Sequence, residues 1–286
     1  MRYLPLFALT LLLGACDKVE NPINEGNSTT PPPADETTHK VLLEEYTGHK
    51  CPTCPAAHIV AAQLAATYGD RLVIVSEHVG SLALPEAVDY TTDFRTPAGN
   101  TYFGHWTTDI IPRGLIDRTP FNNNVVLSKD NWANAITQLI DQPATMKIEF
   151  SAFNYENGTR TVTATVKCTP LTAIDHNLNL TVQLTEDHVI DWQYDGSLGT
   201  PNVPNYDHRH VLRDNLNGTW GEPLVTGSAP ANVAITRSFS YQLPGPPAVN
   251  AVIDPTHCAL VAYVYNTQGT TNEYRVLQVE ERKFQP

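Results

Sequence analysis

The chain has 286 residues, of which 41% are hydrophobic, so it is long enough for two domains with buried cores. This composition excludes collagen-like, coiled-coil and fully disordered proteins. Its 30 acidic and 18 basic residues give a formal net charge of -12, which argues against a nucleic-acid partner, because binding a phosphate backbone requires a concentrated positive field. Five cysteines are too few for a disulfide scaffold in a chain of this length, and their odd number leaves at least one for a separate role.

Residues 1–15 are predicted to be a lipoprotein signal peptide. Arg2 precedes an apolar run that is typical of a secretory signal and too short to span a bilayer. The run ends in Leu-Gly-Ala before Cys16, which resembles the bacterial lipobox, so Cys16 is expected to be acylated and to become the mature N-terminus. The alternative is a plain signal cleaved after Ala15, which would leave an exposed reactive thiol. Residues 16–38 are polar and Pro-rich, and they are predicted to form a flexible tether.

A thioredoxin-like α/β domain is predicted over residues 39–143. An apolar strand begins at residue 41, a Thr-Gly turn follows, and the sequence Cys-Pro-Thr-Cys-Pro at 51–55 opens an Ala-rich helix that ends near residue 68. Both prolines fall in the first turn of this helix, where a missing amide donor costs little. A second apolar strand at 72–75 completes a β-α-β unit with a parallel strand pair. A CxxC motif at the first strand-to-helix junction is typical of thioredoxin-like redox proteins.

The placement of the two cysteines assigns them different roles in disulfide exchange. Cys51 lies at the helix N-terminus, whose positive end lowers a thiol pKa, and His49 and Lys50 beside it can add positive potential. Cys51 is therefore the predicted attacking thiol, and Cys54 is the thiol that resolves the mixed disulfide. Glu45 lies six residues before Cys51 and matches the buried acid of thioredoxins that moves the proton of the resolving thiol; an ordinary strand carboxylate is the alternative.

Pro112 is the predicted cis-proline of this domain. It precedes the apolar segment 114–116, and thioredoxin-like folds place a cis-proline at the start of the strand that faces the CxxC motif. Such a proline presents a backbone edge to an extended substrate; a trans turn proline is the alternative. Ser128 is the expected N-cap of a closing helix whose buried face includes Trp132 and Ile136, and the domain is expected to end near residue 143.

A metal site is the competing hypothesis for the CxxC region. His49, Cys51, Cys54 and His58 are ligand-type residues that lie close in sequence. A lone CxxC with local histidines is weak evidence for zinc or copper, because structural zinc usually has four ligands held by a closed loop. The sequence therefore predicts neither a metal nor another cofactor.

An all-β, antiparallel sandwich-like domain is predicted over residues 144–286. Alternating apolar and polar residues indicate at least five strands, at 147–153, 161–166, 178–184, 237–241, 259–265 and 275–279. Cys168 and Cys258 lie at the ends of two of these strands, and in an oxidising envelope they could form a disulfide. His208 and His210 could form half of a metal site, but a hydrogen-bonded structural pair is the favoured interpretation.

Several stretches together resemble one family, the twenty-eight-kilodalton outer-membrane-protein-related lipoproteins of Bacteroidetes. They are the lipobox, the segment 41–55 with its Thr-Gly and CPxCP elements, residues 112–118, the run His-Arg-His-Val-Leu-Arg at 208–213 and the run 216–221. The resemblance covers nearly all of the mature chain. It implies a thioredoxin-like domain, a β-rich C-terminal domain, outer-membrane attachment, possible self-association into a homo-oligomer, and an adhesin or receptor role.

Two functions are expected from these observations. The first is a lipoprotein of the outer membrane, anchored through Cys16 and facing the periplasm or the cell surface, that exchanges disulfides with envelope or surface proteins through a redox-active Cys51–Cys54 pair. The second is a non-enzymatic surface adhesin, receptor or ligand-binding module in which the same pair is a structural disulfide. The large C-terminal domain favours the second, because an oxidoreductase alone would not need it, and the fold by itself does not decide between them.

Overall fold

The computed structural model describes residues 37–106, 110–245, 253–269 and 273–284. Cys16, the signal peptide and nearly all of the tether lie outside the described residues. The N-terminal part of the described chain contains, in order, β1 (Val41–Thr47), α1 (Cys54–Tyr68), β2 (Leu72–His78), α2 (Pro97–His105), β3 (Arg113–Ile116) and α3 (Lys129–Leu139). This part is mixed α/β, as the sequence predicts.

Strand β1 is central to the N-terminal part. It pairs in parallel with β2, from Val41 opposite Leu72 to Thr47 opposite His78, and antiparallel with β3. Alternate side chains of β1 point to opposite faces, and Val41 and Leu43 share a core with Ala57 and other residues of α1. Since Glu45 and Thr47 continue this alternation, they lie on the face that α1 covers.

The sequence predicts helix α3 but not helix α2. Helix α3 begins after Ser128, which holds the expected N-cap position, although its side chain makes no capping bond to an amide. Trp132 is fully buried and lies against Gly114, where an added Cβ would come within 2.7 Å of the indole nitrogen. Helix α2 lies in a stretch that sequence periodicity leaves unassigned, and the Thr96 side chain caps it by accepting a hydrogen bond from the Gly99 amide.

In the described part of the chain, ten strands follow α3. They are β4 (Met146–Glu156), β5 (Thr161–Pro170), β6 (Leu178–Glu186), β7 (Val189–Tyr194), β8 (Asn202–His208), β9 (Val211–Asn215), β10 (Glu222–Val225), β11 (Ile235–Gln242), β12 (Cys258–Asn266) and β13 (Val276–Lys283). All pairings among them are antiparallel. The six predicted strands are present, whereas β7 to β10 are additional to the prediction.

The largest sheet contains strands from both parts of the chain. Its order is β13-β12-β6-β9-β2-β1-β3, with β10 paired to β6. Strand β9 joins β2 through a parallel pairing of Ser76 with Val211, and the Ser76 amide donates a 2.7 Å hydrogen bond to the His210 carbonyl. The described residues form one compact unit. The division into domains at residue 143 stays a prediction.

The three-stranded sheet β11-β5-β4 shares a hydrophobic core with β6 and β12. Cys168 and Cys258 are buried in this core, and both are free thiols, so the possible disulfide between them is not formed in this structure. Burial raises the pKa of the Cys168 thiol to about 12 and also raises that of Cys258. The Cys258 thiol donates to the Asp254 carbonyl at 3.3 Å, which gives it a hydrogen-bond partner without a disulfide.

A buried ion pair lies on the face of β1 away from α1. The Arg118 guanidinium donates to both carboxylate oxygens of Glu44, at 2.5 and 2.7 Å, and donates to the Tyr263 hydroxyl at 2.9 Å. The rings of Tyr102, Tyr263 and two further aromatic residues lie within 6 Å of its carbon centre. The pair therefore links β1 to β12 across the core. None of the helices in the described ranges is long and apolar enough to span a bilayer.

Candidate functional site

The two cysteines of the CxxC motif form a disulfide at the N-terminus of α1. Cys54 is the first residue of the helix, and the Cα atoms of Cys51 and Cys54 are 5.4 Å apart. The Cys51 sulfur lies 3.9 Å from the carbonyl oxygen of Ile111, and the bond from Ile111 to Pro112 is cis. Sequence-distant segments, one at 51–54 and one at 111–112, therefore meet at the sulfurs.

The site is closed to solvent in this structure. Cys51 and Cys54 each have 0% exposed surface. A disulfide that no reagent can reach cannot exchange, so any exchange reaction requires a movement that uncovers Cys51.

Glu45 lies on the α1 face of β1 without a strong partner. Its side chain is fully buried, one oxygen accepts a long 3.4 Å hydrogen bond from the Ser76 hydroxyl, and the other has no hydrogen-bond partner. Burial disfavours the ionised form and raises the pKa of Glu45 from 4.5 to about 8. Glu45 is therefore mostly protonated at neutral pH and able to give up a proton, which is the property expected of a buried proton donor beside a resolving thiol.

His58 connects Glu45 to the helix that carries the cysteines. It lies one turn after Cys54 on α1, where residues four apart are neighbours. Its Nε2 atom is 2.8 Å from the Thr47 hydroxyl and 3.7 Å from a Glu45 carboxyl oxygen, and its Nδ1 atom is 2.6 Å from the Tyr206 hydroxyl. Burial lowers the pKa of His58 to about 3, so the imidazole is neutral at ordinary pH.

The two basic residues before Cys51 contribute less positive potential than the sequence suggests. The Lys50 ammonium pairs with the Glu86 carboxylate at 3.1 Å. His49 is buried, its Nε2 atom lies 3.1 Å from the Leu84 carbonyl, and desolvation lowers its pKa. The N-terminus of α1 therefore remains as a source of positive potential at the sulfurs.

The β7–β8 hairpin, residues 189–208, covers the loop that contains Cys51. The Tyr194 amide donates to the His49 carbonyl at 2.7 Å, and the Gly196 amide donates to the Pro52 carbonyl at 2.9 Å. The buried Gln193 side chain donates to the Cys51 carbonyl at 3.2 Å. These bonds make the hairpin the element that most directly holds the CxxC loop in place.

A groove of about 560 Å³ runs beside the disulfide. Its floor includes Pro52, Thr53 and Pro112, and the tip of the β7–β8 hairpin forms one wall. Ile59, which lines the same groove, has 60% of its surface exposed.

A separate cavity of about 440 Å³ lies behind α1 and contains four histidines, namely His58, His78, His208 and His210. The described residues contain no group of three or more His, Cys, Asp or Glu side chains placed to hold a metal ion. The four ligand-type residues of the metal hypothesis are engaged otherwise: the cysteines bond to each other, and His49 and His58 have the hydrogen-bond partners given above. His208 contacts the Trp192 carbonyl at 3.2 Å, in line with a structural role.

A model of the outer membrane protein Omp28 family matches residues 99–286, which is more than half of the chain. The chain belongs to the Omp28 outer-membrane protein family. The match includes residues 112–118 and 208–213, which carry the resemblance in the sequence, and it supports an outer-membrane location. The CxxC motif precedes the matched residues, so family membership itself says nothing about the disulfide.

Two solved structures are similar to this Omp28-family chain. HBP35 of Porphyromonas gingivalis superposes with a TM-score of 0.63 and 15% identity, over 86% of this chain and 76% of that protein. A structural-genomics protein of Agrobacterium tumefaciens gives a TM-score of 0.51 and 10% identity, over 88% of this chain and 99% of that protein. At these identities the likeness shows the fold alone. No curated protein sequence gives a significant match.

Of the four residues to which the sequence assigns catalytic roles, Cys51, Cys54 and Pro112 meet at the disulfide, whereas Glu45 lines the cavity behind α1. Sequence reasoning missed Gln193 and Tyr206, which come from the β7–β8 hairpin about 150 residues later. The only signal near them is the histidine-rich run that begins at residue 208. That run marks the end of the hairpin but does not indicate which segment the hairpin contacts.

Proposed function

We propose that this Omp28-family protein exchanges disulfides with envelope or surface proteins through Cys51 and Cys54. One observation carries the proposal: the disulfide lies at the start of α1, and α1 covers the face of β1 that holds a buried, largely protonated Glu45. The positive end of a helix stabilises a thiolate, and a buried acid can supply the proton for the leaving sulfur. A thioredoxin-like domain over residues 39–143 is part of the proposal.

The reaction begins with a thiolate of the client protein. It attacks the Cys51 sulfur, a client–Cys51 disulfide forms, the Cys51–Cys54 bond breaks, and Cys54 leaves as a thiolate that takes up one proton. A second client thiolate then attacks the client sulfur of the mixed disulfide and releases Cys51 as a thiolate. The client is oxidised to a disulfide and the CxxC pair is reduced; the reverse sequence reduces a client disulfide.

Exchange requires the site to open, because both cysteines are buried. The hydrogen bonds from Tyr194 and Gly196 to the CxxC loop join two surface loops, and they are the contacts whose loss would expose Cys51. A client segment in the neighbouring groove would compete with this hairpin for the Pro52 backbone. In this proposal the hairpin limits exchange to clients that displace it.

The anchor is proposed from the sequence. Cys16 carries the lipid, residues 16–38 form the tether, and residues 144–286 form a second, β-rich domain. A Cys16→Ser variant tests the anchor, because the protein is expected to move from the membrane fraction to the soluble fraction of the cell envelope. Retention in the membrane fraction would contradict lipid attachment at Cys16.

The second candidate function is a non-enzymatic surface adhesin or receptor with a structural disulfide. The complete burial of Cys51 and Cys54 favours it, together with the bonds that hold the β7–β8 hairpin over them. Structural disulfides resist reduction by thiols, whereas exchangeable ones are reduced readily. The two functions therefore differ in a property that can be measured directly.

Trapping of mixed disulfides in the native host tests the proposal. A Cys54→Ser variant leaves Cys51 without its resolving thiol, so client proteins are expected to accumulate as covalent adducts that a reductant releases. The matched control is Cys51→Ser, which keeps only the inner cysteine and is expected to trap few adducts. Absence of adducts on Cys51 would contradict exchange and support the structural disulfide.

A further inference from the structure

A line of polar groups runs from Glu45 towards the β7–β8 hairpin. The carboxyl oxygen of Glu45 without a hydrogen-bond partner is 3.7 Å from His58 Nε2, and His58 Nδ1 is 2.6 Å from the Tyr206 hydroxyl. His58 and Tyr206 are both partly buried, whereas Glu45 is fully buried. The line leads from a buried acid to the protein surface through two side chains.

The neutral imidazole of His58 is suited to pass a proton along this line. A neutral imidazole has one nitrogen that donates and one that accepts, so it can take up a proton at Nε2 and release one at Nδ1. The Nδ1 atom of His58 bonds to Tyr206 in the line, whereas its Nε2 atom bonds to the Thr47 hydroxyl and also faces the Glu45 carboxyl. The 3.7 Å separation from Glu45 is longer than a hydrogen bond, and catalytic hydrogen bonds often shorten only when the reaction takes place.

We propose that His58 and Tyr206 form a proton relay between the Glu45 carboxyl and solvent. The inference rests on the proposed disulfide exchange, because the relay serves the step in which Cys54 leaves. Glu45 gives its proton to the Cys54 thiolate while one proton from solvent passes through Tyr206 and His58 to the Glu45 carboxyl, so the buried carboxylate is not left ionised in this step. In the reverse reaction the same proton travels outward. His58 and Tyr206 are positioning residues, since they act on the sulfur through Glu45.

Other charged and titratable groups surround the relay. Ser76 and His78 of β2 face it from the sheet, His208 and His210 face it from the end of β8, and Asp187, Asp207, Arg209 and Lys283 line the rest of the cavity. Desolvation lowers the pKa values of His78, His208 and His210, so these imidazoles are neutral as well. His58 contacts Tyr206 of the hairpin directly and lies beside Glu45. Among the described residues, none of these other groups joins Glu45 to the hairpin in this way.

The relay is tested first by a readout that does not depend on exchange chemistry. In the oxidised full-length protein, ¹³C NMR of labelled glutamate follows the Glu45 carboxyl through its titration, with Glu45→Gln to assign the signal. Fast proton exchange with solvent gives one averaged signal in the wild type. His58→Gln and Tyr206→Phe are expected to slow this exchange and to broaden or split the signal near the midpoint. Equal line shapes in wild type and both variants would overturn the relay.

The second readout is the rate at which dithiothreitol reduces the Cys51–Cys54 disulfide between pH 6 and 9. His58→Gln and Tyr206→Phe are expected to lower the rate at least about tenfold at the acidic end, since general acid catalysis contributes at least that much. Tyr90→Phe is the matched control, because it removes a tyrosine hydroxyl that bonds to Asn202 of the same hairpin and lies outside the relay. A merely structural role predicts the same loss in all three variants.

Chemical rescue separates proton transfer from packing. His58→Ala opens space beside Ala61 and Ala62 in the cavity, and added imidazole is expected to restore the rate there. Pyrazole, a weaker base of the same size, is expected not to restore it; equal rescue by both compounds would overturn the relay. If dithiothreitol cannot reduce the Cys51–Cys54 disulfide of the native wild-type protein at all, the proposed exchange is wrong. The NMR line shapes then still decide whether Glu45 exchanges its proton through His58 and Tyr206.

Discussion

Replacing Glu45 with glutamine is expected to change the pH dependence of stability. Glutamine has nearly the same shape as a protonated glutamic acid and cannot ionise. The wild-type carboxyl is fully buried, has one long hydrogen bond from Ser76, and has a pKa raised by desolvation from 4.5 to about 8. The unfolded chain ionises Glu45 near pH 4.5, whereas the folded protein keeps it protonated to a much higher pH.

The sign and size of the effect follow from proton linkage. Between pH 4.5 and about 8 the folded state binds one more proton than the unfolded state, so the free energy of unfolding falls as pH rises through this window. The contribution is fully present below the unfolded pKa and is lost above the folded one. At about 1.4 kcal/mol per tenfold change in proton affinity, the difference between the two pKa values corresponds to about 5 kcal/mol. Glu45→Gln is therefore expected to gain up to about 5 kcal/mol relative to wild type on going from pH 4 to pH 9.

Urea unfolding of the oxidised protein at several pH values measures this difference. Glu77, Asp117 and other buried acids with raised pKa values contribute equally to both proteins and cancel in the comparison. Glu86→Gln is the matched control, because the Glu86 side chain is 65% exposed, and its difference from wild type is expected to stay small at every pH. If the Glu45→Gln and wild-type curves run parallel from pH 4 to pH 9, the argument that Glu45 is a buried, protonated acid is wrong.

Three further predictions concern packing and the other cysteines. Arg118→Met leaves the buried Glu44 carboxylate unpaired and is expected to lower the free energy of unfolding by about 3–5 kcal/mol. The control Lys129→Met breaks an exposed pair with Asp130 and is expected to lower it by less than about 1 kcal/mol. Equal losses of the two variants in urea unfolding would contradict this prediction. Gly196→Ala places a Cβ 2.9 Å from Pro52, so it should loosen the hairpin and speed reduction of the disulfide by dithiothreitol, whereas Gly199→Ala, which meets no atom within 4 Å, should leave the rate unchanged. In a Cys16→Ser background, Cys168 and Cys258 are expected to resist iodoacetamide in the native protein, because burial raises their pKa values. After unfolding without reductant, two alkylated thiols per chain are expected. Absence of alkylation after unfolding would show that these two cysteines form a disulfide.

The local part of the site could be predicted from the sequence, because its signals are local. The helix start at Cys54, the strand that carries Glu45 and the pairing of the two cysteines depend on residues within a short stretch of chain. The prediction that Pro112 is a cis-proline likewise depends on its place just before an apolar segment. In each case a short-range pattern fixes both the element and the position of the residue in it.

The long-range part could not be predicted in this way. Strand β9 joins β2 by the pairing of Ser76 with Val211, and no periodic pattern in either strand indicates which edge it will meet. The β7–β8 hairpin binds the CxxC loop mainly through backbone groups and the side chain of Gln193, which carry no recognisable motif. Because these contacts carry no motif, the burial of the disulfide cannot be predicted from the sequence.

The rate of disulfide reduction in the native protein tests the central claim most directly. The oxidised full-length chain is treated with dithiothreitol without denaturant, and the rate of loss of the Cys51–Cys54 bond is compared with the rate of global unfolding under the same conditions. We expect reduction to be much faster than unfolding, because displacement of the β7–β8 hairpin is a local opening that leaves the core intact. Reduction that proceeds only as fast as the whole protein unfolds would contradict the account and identify the disulfide as structural.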